Sequence, residues 1–275
     1  MVYGILRFIN FAHGDIFMLG AFSGFYLAPK IATLLPLPSI WGALAVMGAS
    51  MAICAALGVL IERLAYRPLR KSPKLTMLIT AIGVSLFLEY TGQFAFGAAP
   101  KKFPDILPVY SMMKLGQLSV NSNQVIVLVV TLLLLVGLRF VVQKTKMGTA
   151  MRAVSFNPEA AALMGVNTDV VISFTFALGS ALAAAAGILW AINYPSIDPL
   201  MGILPGLKAF VAAVLGGIGN LPGAALGGII IGVTETLVSG YISSTYRDAI
   251  AFGVLILILL VKPSGLLGKK EIEKV

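Results

Sequence analysis

The sequence predicts an all-α protein, a polytopic transmembrane helical bundle, and three observations carry that expectation. Apolar residues make up 59% of the 275-residue chain and charged residues 11%, against roughly 25% charged in soluble domains. Mean hydropathy is +0.97. Several uncharged stretches reach the ~20 residues that a helix needs to cross a ~30 Å hydrocarbon core. The net charge of +9 would suit nucleic acid in a soluble domain. Here the lysines and arginines stand beside apolar spans, where they set topology, so no nucleic-acid partner is expected. The single cysteine, Cys54, lies inside an apolar span, which leaves no disulfide framework.

Taken in order, the chain opens on MVYGILRFINFAHGD, apolar from its first residue, and this reads as the tail of an earlier span. Residues 16–28 form the weakest span, expected to extend toward Leu35. Residues 39–61 are uncharged throughout. Residues 75–97 carry one acid, Glu89, and residues 124–142 are a Val/Leu run interrupted only by Arg139. A span over 170–192 starts from the capping candidates Asn167, Thr168 and Asp169. Residues 209–234 are too long for one ordinary helix and contain GGIGNLPG, so two shorter helices meeting at a Gly/Pro turn are expected. The last span, about 249–261, borrows residues from its flanks. Counting residues 209–234 once, the total is about seven spans, besides the N-terminal remnant.

Alternating these spans places Arg7, Arg63, Arg67, Arg70, Lys71, Lys74, Arg139, Lys144, Lys146, Arg152 and the four lysines from Lys262 onward on one side. The other side receives Lys30, Lys101, Lys102, Lys114, Lys208 and Arg247. The positive-inside rule then puts the first side, with the C-terminus, in the cytoplasm, provided that residues 209–234 cross twice.

One polar island, 148–169, falls on that cytoplasmic side and carries its own helix punctuation. Asn157 is a capping residue, Pro158 suits the first helical position, and Glu159 complements the positive end of the helix dipole. Ala160, Ala161, Ala162, Leu163 and Met164 favour helix, and Gly165 supplies the stop. A helix of about seven residues spans only ~10 Å. It is too short to cross a membrane and fits either an ordered loop or a plug that docks into another protein.

Glu159-Ala160-Ala161, three residues and then Gly165 resembles the E-A-A-x3-G loop of ABC-importer permeases, which contacts the ATP-binding subunit. The later Leu-Pro of the maltose-type branch is absent. Further stretches resemble branched-chain amino-acid ABC permeases of the LivH type. They are Val2-Tyr3-Gly4-Ile5-Leu6 with Asn10-Phe11-Ala12-His13-Gly14; Glu62-Arg63-Leu64-Ala65-Tyr66-Arg67-Pro68-Leu69-Arg70; Leu78-Ile79-Thr80-Ala81-Ile82-Gly83; Lys208-Ala209-Phe210; and Leu215-Gly216-Gly217-Ile218-Gly219-Asn220-Leu221-Pro222-Gly223-Ala224. Relative to that family the chain lacks much of a first transmembrane helix.

The resemblance implies one transmembrane permease domain of the ABC-importer type over residues 1–275, in a bacterial inner membrane. It implies a second homologous permease subunit, two cytosolic ATP-binding subunits and a periplasmic substrate-binding protein delivering leucine, isoleucine or valine. Arg152, Asn157, Glu159, Ala160, Ala161 and Gly165 would couple to the ATPase. The chain has no G-x-x-x-x-G-K-[ST] phosphate loop, so it is expected not to be an enzyme, with hydrolysis left to a partner. No cofactor and no catalytic residue are expected.

For the substrate path the candidates are Asn10, His13 and Glu89, since polar groups in apolar spans face the protein interior or a wet cavity. The competing reading for each is a structural hydrogen bond. One histidine makes no metal site. Glu235 reads as interfacial, and the basic loop after residue 61 reads as a topology signal, an ATPase contact or a site for anionic membrane lipid. Small residues at 181–187 and 223–232 permit close helix packing. Urea, short amides and other amino acids remain open as substrates. A secondary transporter remains open as a class, whereas an intramembrane serine protease has only His13 to serve as base.

Overall fold

The computed structural model describes residues 10–70, 72–108, 111–115, 118–262 and 264–268. The Val2–Leu6 part of the N-terminal signature, Arg7, Lys71 and the last lysines lie outside the described residues. Those described form ten α-helices with two small two-stranded ribbons. They gather into two compact units that divide between Ile203 and Leu204.

In the first unit, α1 (Ala12–Ile31) packs against α2 (Ile40–Ile61), α3 (Lys74–Phe96) and α7 (Thr168–Asn193). Helix α1 begins four residues earlier than hydropathy predicts and ends before Leu35. Its polar start is kept helical by partners inside the protein rather than by lipid-compatible side chains. Ser39 caps α2, its Oγ accepting from Gly42 N–H at 3.0 Å. At its far end α2 runs into a π-helical turn, Glu62–Tyr66, and a short 3-10 turn, Arg67–Leu69.

Helix α7 sits in the middle of this unit. Its small residues let two backbones approach: a side chain on Gly187 would strike the Phe17 carbonyl of α1, and one on Gly20 would strike the Ala184 backbone. Met18, Phe22, Val46, Ile188 and Ile197 fill the adjoining core. The loop Phe103–Leu107 closes that core at one end. It is held by β1 (Lys101–Lys102) paired with β4 (Ser196–Ile197) and by the Ser39 N–H donating to Ile106 O at 3.1 Å. A hairpin, β2 (Ser111–Leu115) and β3 (Leu118–Asn121), leads into α4 (Ser122–Lys144).

The polar island holds two helices where one was expected: α5 (Lys146–Phe156) and α6 (Pro158–Leu163). Glycine and threonine at 148–149 hide α5 from a propensity reading. It forms because Thr145 Oγ1 accepts from Gly148 N–H at 3.0 Å and because Gly148, Met151 and Val154 give it a buried face at helical spacing.

In the second unit, α8 (Ile203–Gly216) and α9 (Leu221–Tyr241) meet at the expected turn, where Gly217 and Gly219 take positive φ. Asn220 Oδ1 accepts from Gly223 N–H at 3.1 Å and so caps α9. Residues 264–268 lace onto this turn through Leu266 N–H to Leu215 O at 2.8 Å and Leu267 N–H to Gly216 O at 3.1 Å. Helix α10 (Arg247–Val261) packs on α9. Helix α8 starts six residues before the predicted position, because Pro205 lies in the first turn, where its missing N–H costs no hydrogen bond. Its 14 residues make ~21 Å, short of the ~30 Å hydrocarbon core. Among the described residues six helices are long and apolar enough to span a membrane, α8 being a shorter apolar one.

Candidate functional site

Helix α6 is fixed at both ends by local chemistry. Asn157 Oδ1 accepts from the N–H groups of Glu159 and Ala160, both at 3.0 Å. Gly165, at φ 83°, closes the other end, with its N–H to Ala162 O at 3.0 Å and Val166 N–H to Ala161 O at 3.0 Å. Ala161 is buried and Ala160 exposed. Around this rigid turn Phe156, Leu163 and Met164 are between 84% and 89% exposed. Three large apolar side chains thus stand exposed together on one short loop. Arg152 is turned away from it: its guanidinium donates to Val142 O and, at 3.2 Å, to Thr149 Oγ1, bracing the corner between α4 and α5.

Directly after this loop comes a group of charges that sequence reading missed. Glu62, fully buried in the π-helical turn, accepts from Arg70 and, at 2.7 Å, from Ser173 Oγ of α7. Asp169, in the first turn of α7, accepts from Arg67 and, at 2.5 Å, from Arg70. Asn167 Oδ1 caps the same helix through Val170 N–H at 3.2 Å. The end of α2 is thus tied to the start of α7 immediately beyond the α6 loop. The only sequence signal was an acid at the end of an apolar span ahead of three arginines. The α7 members of the group, Asp169 and Ser173, lie about a hundred positions away, where no local pattern reaches.

Within the unit, Asn10 just ahead of α1 and Asp15 on α1 have side-chain partners. Tyr66 O–H donates to Asn10 Oδ1 at 2.7 Å. Ser85 O–H on α3 donates to Asp15, a buried carboxylate, at 2.5 Å. Glu89 lies one helical turn beyond Ser85 on α3. Of the three path candidates, Asn10 therefore joins the turn that follows α2, and Glu89 stands on α3 one turn from the Ser85–Asp15 hydrogen bond. His13, half-buried, lies two residues from Asp15 and so points to a different side of α1.

The second unit carries a separate charge group. Lys208 Nζ lies 2.9 Å from Glu235 and 2.6 Å from Asp248, and Arg247 Nε lies 3.1 Å from the other Glu235 oxygen. Glu235 is buried rather than interfacial, because α8 and α10 bring it two cations. Among the described residues no group of His, Cys, Asp and Glu could hold a metal ion.

A bundle of apolar helices with a few buried charges, carrying a capped apolar-tipped loop beyond the spans, fits the membrane-spanning component of a transport system. The chain belongs to the family described as the permease component of the branched-chain amino acid transport system, which matches residues 1–259. It is 41% identical over 279 residues to the high-affinity branched-chain amino acid transport system permease protein BraD of Pseudomonas aeruginosa, covering 100% of this chain and 91% of that protein. It is 42% identical over 281 residues to the corresponding protein LivH of Escherichia coli K12, covering 100% of this chain and 90% of that protein. A probable LivH of Methanocaldococcus jannaschii is 30% identical over 277 residues, 94% of this chain and 82% of that protein. No solved structure matches the chain significantly.

Proposed function

We propose that this chain is a permease subunit that passes branched-chain amino acids through the membrane and is driven by a separate ATPase. The observation that carries the coupling is the α6 loop: a doubly capped helix of six residues whose neighbours Phe156, Leu163 and Met164 are almost wholly exposed among the described residues. Relatives matching the full chain are named for branched-chain amino acid transport, which supports the substrate. In this reading Asn157, Glu159, Ala160, Ala161 and Gly165 form the seat for the ATPase, and Arg152 keeps that seat at a fixed angle to α4. The Glu62–Arg70–Asp169 group passes movement of the loop to α7. Asn10, His13 and Glu89 border the substrate path, and the two units act together as one permease domain.

The assembly proposed is two homologous permease subunits, two cytosolic ATP-binding subunits and a periplasmic binding protein. It sits in a bacterial inner membrane, with the α5–α6 loop in the cytoplasm, and with the C-terminus there too on the reading that residues 209–234 cross twice. The test is reconstitution with the cognate ATPase and binding protein, measuring leucine uptake and ATP hydrolysis together. Gly165→Val, which forces a β-branched residue to positive φ, and Glu159→Lys should each abolish uptake while the spans stay folded. Uptake by the chain with no ATPase present would overturn the reading. Hydrolysis stimulated by a binding protein loaded with ribose or urea, and not with leucine, would overturn the substrate.

A further inference from the structure

We propose that the cleft between the end of α2 and the start of α7 binds the headgroup of an anionic phospholipid. The cavity is about 380 Å³. Arg63, Arg67, Asn167, Ser173 and the carboxylate of Asp169 line its polar side, and Val59, Val170 and Phe174 line its apolar side. The charges around it do not balance. Arg67 and Arg70 are held by Asp169, and Arg70 also by Glu62. Arg63 is exposed and forms no ion pair among the described residues. Three guanidinium groups face two carboxylates, leaving one positive charge uncompensated at the cleft mouth.

Its depth in the membrane fits the same ligand. Helix α2 is uncharged from Ile40 to Ile61, and Arg63 and Arg67 follow within the next turns. The cleft therefore opens where the hydrocarbon core gives way to headgroups. Arginine suits phosphate there because its planar fork donates two parallel hydrogen bonds. Residues 63 and 67 stand about one turn apart and present two such forks to one cavity. Val170, about half exposed, and Phe174 continue from the cleft along α7, giving the first methylenes of an acyl chain an apolar strip. A zwitterionic headgroup would bring its ammonium toward the unpaired Arg63, so a net negative lipid is selected. This inference needs only that the helices span a membrane, and stands apart from the substrate.

The test is native mass spectrometry of the purified chain after exchange into mixed phosphatidylglycerol and phosphatidylcholine, followed by stepwise delipidation. Wild-type protein should retain phosphatidylglycerol in preference to phosphatidylcholine. Arg63→Gln should lower that retention by about fivefold, the contribution of one basic side chain near an anionic surface. Arg63→Lys, keeping charge without the fork, should fall between the two. Arg139→Gln, which removes an exposed arginine on α4 outside the cleft, should retain lipid as the wild type does. Excess inorganic phosphate should leave the bound lipid in place. Equal retention by R63Q and wild type, equal loss in R139Q, or displacement by inorganic phosphate would each overturn the proposal. If R63Q is not recovered folded, the wild-type protein alone decides: no preference between the two lipids would overturn the proposal as well.

Discussion

Helices α4 and α7 are both long apolar spans, yet they stand at opposite extremes. Helix α4 is the most hydrophobic of the six candidate spans and buries only Ser122 within the described protein. Helix α7 is less hydrophobic, and its Gly179, Ser180, Ala183, Ala184, Ala185 and Gly187 are all buried. In water the greasier helix would be the core. In a bilayer, lipid tails are as apolar as leucine, so hydropathy does not drive one span against another, and close approach of small residues does. The large side chains of α4, such as Leu132 and Phe140, face outward. The small ones of α7 admit the α1 backbone.

The contrast is sharpest for charge. Glu62→Gln removes the buried acceptor shared by Arg70 and Ser173 of α7. It should cost ~3–5 kcal/mol, as for breaking other buried pairs, and lower the thermal midpoint in detergent markedly. Arg139→Gln on α4, whose guanidinium meets only exposed Gln143 at 3.3 Å, should change it by less than ~0.5 kcal/mol. Equal shifts would break the comparison.

The same glycine-to-alanine change should differ in sign between the two helices. At Gly187 the new methyl meets the Phe17 carbonyl, and overpacking of that kind costs ~1–3 kcal/mol. At Gly137 of α4 the methyl enters open space, and replacing a helix-interior glycine should gain ~0.5–1 kcal/mol. Paired melts of the two variants measure the difference directly. Between these lies Asn157→Ala in the α6 loop, which removes one cap worth ~1 kcal/mol. Asn157→Gly should recover most of that loss. Hydrogen exchange at Glu159 and Ala160, whose N–H groups the Asn157 side chain holds, is the readout. Unchanged protection in Asn157→Ala would show that packing, not the cap, sets this helix.

Much of the fold was legible in the chain. The span from 39 to 61 appears as α2 with Ser39 as its cap, and the Gly/Pro break appears as the α8–α9 turn, because uncharged length and turn residues act locally. The Asn157 cap and the Gly165 stop were legible for the same reason. The first helix was misjudged at its start because Asp15 looks costly until Ser85 answers it. Helix α5 was missed because its buried face, Gly148, Met151 and Val154, has meaning only against its neighbours. Arg152 looked like a partner-facing charge, and its place in the α4–α5 corner depends on the Val142 carbonyl.

By itself the sequence determined that the chain is a bundle of membrane helices, where most spans begin and end, and which family's motifs it bears. Those properties follow from side-chain hydropathy and from caps reaching no more than a few residues along the chain. Only the tertiary structure decided which span lies at the centre, that Glu62 and Asp169 share the arginines of one loop, and that Arg63 stands beside a cleft with no ion pair among the described residues. The reason is physical. In a bilayer the choice of neighbour is made by backbone approach and by charges brought together from distant positions, and neither leaves a periodic trace in the chain.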